Sequence, residues 1–487
     1  MSPRKIGGAV ASALLLWASF FPGWGALSWV ALVPLFTSLL GERGRGRAAA
    51  YGTIFGLLFA LLEFAGLLEL RAAAGTAGAV LALGGMGVYG AAWGALFGAL
   101  AARGGVPRLV GLWVLLELLR ASGPWGVALG TLPLALAAGP LVRAAAFGGP
   151  WILALAVAAT NAAVAALLRS RRPGWLGAAA VGPLLLGILA LLWDAPPPRG
   201  ELAVTLVQPG ITVSERLEEA PGALLGRYLE LLGGVPGDTD LVVLPEDILP
   251  AILRREPALL SALHTEAERL EAPILLGSWD RDGGRYYNTA FYLRPTGGLD
   301  IAHRKVRLLP FGEYLPLRWL WERLGLEELV GRFLPREISP GEGLSAFGRY
   351  GVLICSESQF PEFTRALVRD GAEVILVLTN DSWFGTSRIL WEHFACGSLR
   401  AAETGRAFIQ AAVTGVTGGF GPDGRPLGKL PRGKRSGTLP LRVPLLSHVT
   451  PYVRFGDWPV VALCLLLLVL PRRHWARIST VAASLRP

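Results

Sequence analysis

The chain has 487 residues, of which 52% are hydrophobic and only 17% charged, with a mean hydropathy of +0.48. A soluble domain carries nearer one quarter charged residues, so this composition excludes a disordered chain and argues against an ordinary soluble enzyme. The net charge of +10 does not point to nucleic acid, because the basic residues cluster beside apolar runs, where membrane topology accounts for them.

A membrane-spanning helix needs about 20 mostly apolar residues. Seven such segments crowd the first 195 residues, near 6–22, 26–41, 48–69, 76–101, 107–120, 150–168 and 174–193, and an eighth lies near 456–471. The second and fifth are short. Segment 121–149 is apolar but broken by Gly and Pro, and reads as an interfacial or re-entrant loop. A cleaved signal peptide in place of the first helix is disfavoured, since no small-residue cleavage site stands out and six more segments follow.

Lys and Arg mark the cytoplasmic side. With the N-terminus inside, the inner loops and C-terminal tail carry fourteen basic residues, among them Arg43, Arg45, Arg47, Arg169, Arg171, Arg172, Arg472, Arg473, Arg477 and Arg486, against three outside: Arg71, Arg120 and Arg143. The expected organisation is a seven-helix membrane domain (1–194), an extracytoplasmic domain (195–452), and a final membrane helix with a cytoplasmic tail (453–487). Asp194-Ala-Pro-Pro-Pro-Arg199 is a stiff linker into the middle domain.

In that domain, short β-branched runs alternate with amphipathic stretches. Strands are expected at 202–208, 241–245, 273–278, 287–293, 350–355, 373–379, 408–413 and 416–420, and helices at 214–232, 257–270, 361–370 and 390–404. Such alternation predicts a layered α/β fold, whose reactive groups gather at the carboxyl ends of strands.

Three strand ends carry such groups. Leu241-Val-Val-Leu-Pro-Glu246 delivers a carboxylate, which is either a general base or a surface Glu in a turn. His303-Arg-Lys305 holds one of only four lysines among 46 basic residues. It is either part of a solvated basic run or a point charge where a guanidinium fork would not fit. Gly351-Val-Leu-Ile-Cys355 ends a strand just before an expected helix, whose N-terminus would favour the thiolate; the alternative is an inert buried Cys. Cys396 reads as core, and Cys464 as part of the last membrane helix. Neither the five His nor the three Cys show metal-ligand or disulfide spacing, so no metal or other cofactor is expected.

The order Glu246, Lys305, Cys355, each after a strand, resembles the Glu-Lys-Cys triad of the nitrilase superfamily. Tyr287-Asn288-Thr289-Ala290, Pro310-Phe-Gly-Glu313-Tyr-Leu-Pro316 and Thr379-Asn380-Asp381-Ser-Trp383-Phe-Gly385, flanked by membrane helices, resemble one branch of it, the apolipoprotein N-acyltransferases. The resemblance covers nearly the whole chain. It implies a polytopic helical membrane domain of about eight helices and a periplasmic nitrilase-like αββα domain, in a bacterial inner membrane, with both termini cytoplasmic. It also implies ping-pong transfer of an acyl chain from a phospholipid, usually phosphatidylethanolamine, through a cysteine thioester to the amine of a diacylglyceryl-cysteine on an apolipoprotein. Glu313 and Glu357 would position Lys305 and hold its charge. Trp319, Trp321, Asn380 and Trp383 would contact substrate. The Trp-bearing stretch 315–334 would be either an arm at the headgroup interface or an ordinary helix packed on the domain.

The sequence departs from the family pattern at Ser356, where an aromatic residue is usual, at Gln208-Pro209-Gly210, at Ser214–Leu217, which lacks a Trp, at Gln410 and Val413, and at Glu392-His393. Two rival readings share parts of the pattern. A membrane-tethered amidase or nitrilase acting on a small amide would use the same triad. A transporter or sensor would need intramembrane charges or inverted repeats; Glu63, Glu69 and Glu117 are the only acids in or near the segments, and no repeat is evident.

Overall fold

The computed structural model describes residues 1–325, 337–431 and 436–469. The tail arginines Arg472, Arg473, Arg477 and Arg486, the last two residues of the segment near 456–471, and residues 326–334 of the Trp-bearing stretch lie outside the described residues. The chain forms two compact units. Met1–Leu67, Val80–Asp194 and the described residues from Thr450 onward make one; Leu68–Ala79 and Ala195–Val449 make the other.

The first unit is helical. Three of its described helical stretches, Ala74–Ala101, Pro140–Ser170 and Gly174–Leu192, are long and apolar enough to cross a membrane, and Gly25–Leu39 and Trp458–Val469 are shorter apolar helices. The segment expected near 26–41 is not one helix. It breaks into a 3-10 turn, Gly25–Leu27, and helices Ser28–Ala31 and Val33–Leu39, the last opening with Pro34 in its first turn, where a missing N–H costs nothing. The segment expected over 48–69 is α-helical only as Arg45–Glu63 and is followed by the 3-10 helix Ala65–Leu70.

Helix 45–63 meets helix 71–101 through glycines. A Cβ on Gly52 would stand 1.9 Å from the Gly94 carbonyl oxygen, and one on Gly56 would stand 2.1 Å from that of Gly90. Such small-residue seams let helix backbones approach closely. Within segment 121–149 two 3-10 turns form, the buried Leu132–Leu136 and the partly buried Pro140–Ala144. The Arg120 guanidinium donates to the Leu129 and Gly130 carbonyls at 3.1 and 2.9 Å, and Glu117 Oε1 accepts from Leu132 N–H at 2.7 Å. Non-helical backbone inside an apolar unit is thereby satisfied.

The second unit holds two sheets. One has six strands in the order β11-β1-β2-β3-β4-β5, comprising Gly437–Leu445, Gly200–Gln208, Leu241–Val243, Ile274–Asp282, Arg285–Leu293 and Leu299–Arg304. The other runs β10-β9-β8-β7-β6: Pro426–Lys429, Gly418–Phe420, Ala407–Ala412, Val374–Thr379 and Tyr350–Ile354. The two-residue alternation of strands sorts their side chains. Val204, Leu206, Val243 and Leu275 pack against Ile354, Leu376, Leu378 and Ile409 between the sheets. Val207, Val242, Ile274 and Leu276 face outward into a second core with helices Pro221–Gly233 and Pro257–Leu270. On the other sheet, helix Arg388–Thr404 packs through Phe394 on Phe420, ring centroids 4.6 Å apart. The result is the expected αββα layering.

Three strands escaped the sequence reading: β5, β10 and β11. β5 ends in the charged run His303-Arg304-Lys305, and β11 is interrupted by Pro440 and Pro444 at an edge, where proline is tolerated. The helix expected over 214–232 is two, Val213–Glu218 and Pro221–Gly233, because Pro221 restarts it. Val413, one of the departures, is part of the outer apolar core.

Candidate active site

Glu246 follows β2 on a loop pressed against β3. The loop pairs with Gly277 through Gly277 N–H to Pro245 O at 3.0 Å and Ile248 N–H to Gly277 O at 2.9 Å. A Cβ on Gly277 would lie 2.6 Å from the Glu246 Cα, so only glycine lets the carboxylate loop sit here. Asp247, next in the chain, takes a left-handed φ of +50° and ion-pairs with buried Arg216.

Lys305 leaves β5 with its N–H held by the Asn288 carbonyl at 2.9 Å. Its ammonium donates to Glu313 Oε1 at 2.9 Å and lies 3.6 Å from Glu246 Oε1. Glu246 accepts at Oε1 from Asn288 Nδ2 at 2.7 Å and at Oε2 from the Asn380 N–H at 2.7 Å. Asn288 also donates to Glu313 Oε1 at 3.3 Å, and Glu313 Oε2 accepts from Leu309 N–H at 2.7 Å. Lys305 and Glu246 are 2% and 6% exposed, so this is a desolvated cluster of two acids and one ammonium.

Such a cluster survives only if every charge is compensated. Burial alone would lower the Lys305 pKa, but the charges of Glu313, Glu246 and Cys355 outweigh it and hold the ammonium well above its ordinary value. For Glu246 burial dominates and, with the like charge of Glu313, raises the carboxyl above its usual range despite Lys305. A raised carboxyl is better matched to taking a proton near neutral pH.

Cys355 ends β6 and is half-buried, with a left-handed φ of +51°. The helix expected over 361–370 forms as Pro361–Arg369, but its N-terminus does not meet the thiol directly. The chain enters a five-residue 3-10 turn, Cys355–Gln359, before helix Pro361–Arg369. Nor is the thiolate favoured at rest: burial and then the Glu246 charge push the thiol well above its ordinary value, with Lys305 opposing them. The sulfur therefore rests as a neutral thiol whose proton needs an acceptor, and Glu246 is the carboxylate that most strongly influences it.

The two supporting acids differ. Glu313 touches the Lys305 ammonium directly. Glu357 does not: its carboxylate accepts from the N–H groups of Val306, Arg307 and Ile354 at 2.7, 3.1 and 2.9 Å and meets His303 Nε2 at 2.9 Å. Burial would raise its pKa, but the His303 charge and these hydrogen bonds bring it below the usual range. Glu357 thus staples the backbone after Lys305 to the strand end before Cys355.

Of the residues expected to contact substrate, Asn380 is buried, with its side-chain oxygen spent on Ser382 Oγ at 2.6 Å; only its backbone reaches Glu246. Trp383 is half-buried in the 3-10 turn Asp381–Phe384. Trp321 donates from Nε1 to the Pro316 carbonyl at 2.9 Å and meets Phe311 edge-on. Trp319 is 55% exposed, and Leu309, Phe311, Leu317 and Leu324 are likewise exposed. Sequence reasoning missed Asn288 as a site residue, although its motif was noted; a polar amide at an otherwise apolar strand position was the available signal. It also missed His303 and His393, since partners 54 and 12 residues away, Glu357 and Asp381, are invisible to spacing rules.

Residues 203–441 match the family model of carbon-nitrogen hydrolases, and residues 12–163 match that of the apolipoprotein N-acyltransferase N-terminal domain. An apolipoprotein N-acyltransferase of Geobacter metallireducens is 30% identical over 497 residues, spanning 93% of this chain and 92% of its own. One from Gloeobacter violaceus is 31% identical over 485 residues, spanning 92% and 90%. Among solved structures, an amidase from Nesterenkonia aligns at 20% identity with a TM-score of 0.40, covering 54% of this chain and 97% of its own. With matches to both halves of the architecture and relatives aligned almost end to end, the chain belongs to the apolipoprotein N-acyltransferase family.

Proposed function

We propose that the protein transfers an acyl chain from a membrane phospholipid, through a thioester on Cys355, to the amine of the diacylglyceryl-cysteine that heads an apolipoprotein. Family membership supports the reaction class. The observation that supports the residue assignment is the buried Glu246–Lys305–Glu313 cluster, of which Glu246 and Lys305 bear electrostatically on the Cys355 thiol.

Glu246 takes the thiol proton as Sγ attacks the ester carbonyl. A carbon–sulfur bond forms, and the carbonyl oxygen becomes an oxyanion stabilised by the Lys305 ammonium and the backbone N–H of Ser356. Because a backbone donor is used, the loss of the family's aromatic side chain at 356 leaves this step intact. Collapse breaks the ester carbon–oxygen bond, Glu246 returns its proton to the leaving oxygen, and lysophospholipid departs. The lipoprotein amine then attacks the thioester and gives a proton to Glu246. The carbon–sulfur bond breaks, and that proton restores the thiol. One site thus serves two bulky lipids in turn, with phosphatidylethanolamine as the donor.

Both substrates are lipids, and withdrawing one from the bilayer would cost about 0.8 kcal/mol per CH2. Anchoring the enzyme in the membrane removes that cost. We read eight crossings in an inner membrane, with residues 1–194 and 453–487 as the membrane parts, 195–452 periplasmic and both termini cytoplasmic. The apolar stretches that are long enough to cross, and the basic inner loops, support this. The exposed Leu309, Phe311, Leu317, Trp319 and Leu324 suit contact with lipid more than an ordinary packed helix.

The test is acyl transfer in liposomes of phosphatidylethanolamine with a diacylated lipopeptide. Cys355→Ala and Cys355→Ser should both abolish transfer; undiminished transfer by either rejects the nucleophile. Turnover of a small soluble amide in place of the lipopeptide would favour the amidase reading.

A further inference from the structure

Packed against Cys355 is a buried chain of polar groups that the scheme above leaves unused. Asp381 Oδ1 accepts from Thr379 Oγ1 at 3.0 Å and meets His393 Nδ1 at 2.9 Å. On the far side of the ring, His393 Nε2 stands 3.1 Å from the Cys355 carbonyl oxygen and 2.9 Å from Ser358 Oγ, whose hydroxyl donates to that same carbonyl at 2.9 Å. His393, Asp381 and Ser358 are at most 3% exposed.

The ring faces an acceptor at each end, a carboxylate at Nδ1 and a carbonyl at Nε2. Satisfying both requires a proton on both nitrogens, so the geometry calls for the imidazolium. Burial alone would strip that proton, but the Asp381 charge outweighs it and raises the His393 pKa.

The anchored carbonyl belongs to a strained residue. Cys355 sits at φ +51°, a region that costs a non-glycine residue about 1–3 kcal/mol and persists only where the surroundings enforce it. The peptide between Cys355 and Ser356 is planar and trans, so its N–H points opposite to its C=O. Holding the carbonyl from behind aims the Ser356 N–H forward.

We propose that the Asp381–His393 pair, with Ser358, is a positioning device for acyl transfer: it anchors the Cys355 carbonyl and so fixes the peptide whose Ser356 N–H receives the oxyanion. This rests on the reading of Cys355 as the nucleophile. His393 is a positioning residue, acting through the Cys355 backbone.

Two reactions of one sulfur separate the possibilities. Acyl transfer passes through an oxyanion. Alkylation of Cys355 by iodoacetamide needs an ionised sulfur but forms no oxyanion. Both are measured on the full-length protein in detergent, alkylation being read at Cys355 by mass spectrometry. His393→Ala should slow transfer about 100-fold at unchanged KM, the scale of a lost oxyanion donor, while alkylation stays within about threefold. His393→Gln keeps a donor toward the carbonyl and should recover transfer to within about tenfold. Ser358→Ala should fall between the two, and it carries the comparison with His393→Gln if His393→Ala does not fold. Transfer and alkylation falling together, or transfer undiminished in these variants, overturns the proposal. Transfer by the unaltered protein that survives complete alkylation of Cys355 overturns the nucleophile assignment, and the proposal with it.

Discussion

In the helical unit helices 45–63 and 71–101 meet where there is no side chain. Gly52 lies against Gly94 and Gly56 against Gly90, so near that a single added carbon would overlap a carbonyl oxygen. In the α/β unit the site is held together chiefly by ionisable side chains and their polar partners: Lys305 on Glu313, Asn288 on Glu246, and His393 on Asp381. Both units are built from apolar residues, but lipid-like surroundings give helices no hydrophobic reason to associate, so contact must come from backbone fit. A water-bounded domain has its cores supplied by the hydrophobic effect, which leaves it able to bear the cost of a desolvated charge cluster. The charge cluster of the proposed site therefore falls in the α/β unit, whereas buried Glu117 of the helical unit holds irregular backbone.

The largest effect that would break this comparison is at Lys305. Lys305→Arg keeps the charge but replaces a compact ammonium with a fork in a space already shared by Glu313, Glu246 and Asn288. Transfer should fall about 100-fold or more, as for loss of an oxyanion donor; full activity would mean that charge alone matters there.

In the helical unit the corresponding insult is steric. Gly56→Leu should destabilise the protein by roughly 3 kcal/mol, read as a lowered Tm in detergent. Gly46→Ala in the same helix, where a Cβ meets nothing within 4 Å, should be neutral or stabilising. Equal effects at the two positions would remove the argument from close backbone packing.

A finer probe is the acid limb of kcat/KM. The base must be unprotonated, and the folded-state pKa of Glu246 is raised, so activity is full above that pKa and falls as pH drops through it, at a pH above the ordinary carboxylate range. Glu313→Gln removes a like charge that helps raise it and should move the limb to lower pH even as the rate falls. A limb that stays or moves upward would show that Glu313 does not act on Glu246.

The smallest effect is expected at Cys396, buried on helix 388–404 and pushed up to about 12 by burial. Cys396→Ala should cost about 1 kcal/mol of stability and leave transfer intact. Lost activity there would challenge the choice of Cys355.

Legibility in the sequence followed the same divide. Strands buried on both faces, such as Val374–Thr379 and Ala407–Ala412, announce themselves as unbroken apolar runs. Edge strand β11, with its prolines and alternating exposure, does not. Glu246 and Cys355 were legible because each closes an apolar run that reads as a strand, and Lys305 because it is one of only four lysines among 46 basic residues, although β5 before it went unread. Their partners were not: Asn288, His303 and His393 are brought in from other elements, and only folding reveals which acid each one meets. That Glu357 bears on Lys305 through the backbone and not through the ammonium was hidden for the same reason. Two residues from Cys355 in sequence, it spends Oε1 on backbone N–H groups 51 and 50 positions away and Oε2 on Ile354 N–H and His303. The grouping of Leu68–Ala79 with the α/β unit was likewise invisible, because nothing in its apolar composition distinguishes it from its neighbours.

The measurement closest to the central claim is intact-protein mass spectrometry after incubation with phosphatidylethanolamine alone. The account predicts one added acyl chain per protein, mapped to Cys355, labile to hydroxylamine, released on addition of the diacylated lipopeptide, and matched by an equal amount of lysophospholipid. Transfer to the lipopeptide that proceeds with no acyl group ever found on Cys355, or an adduct that persists unchanged in Cys355→Ala, would contradict it.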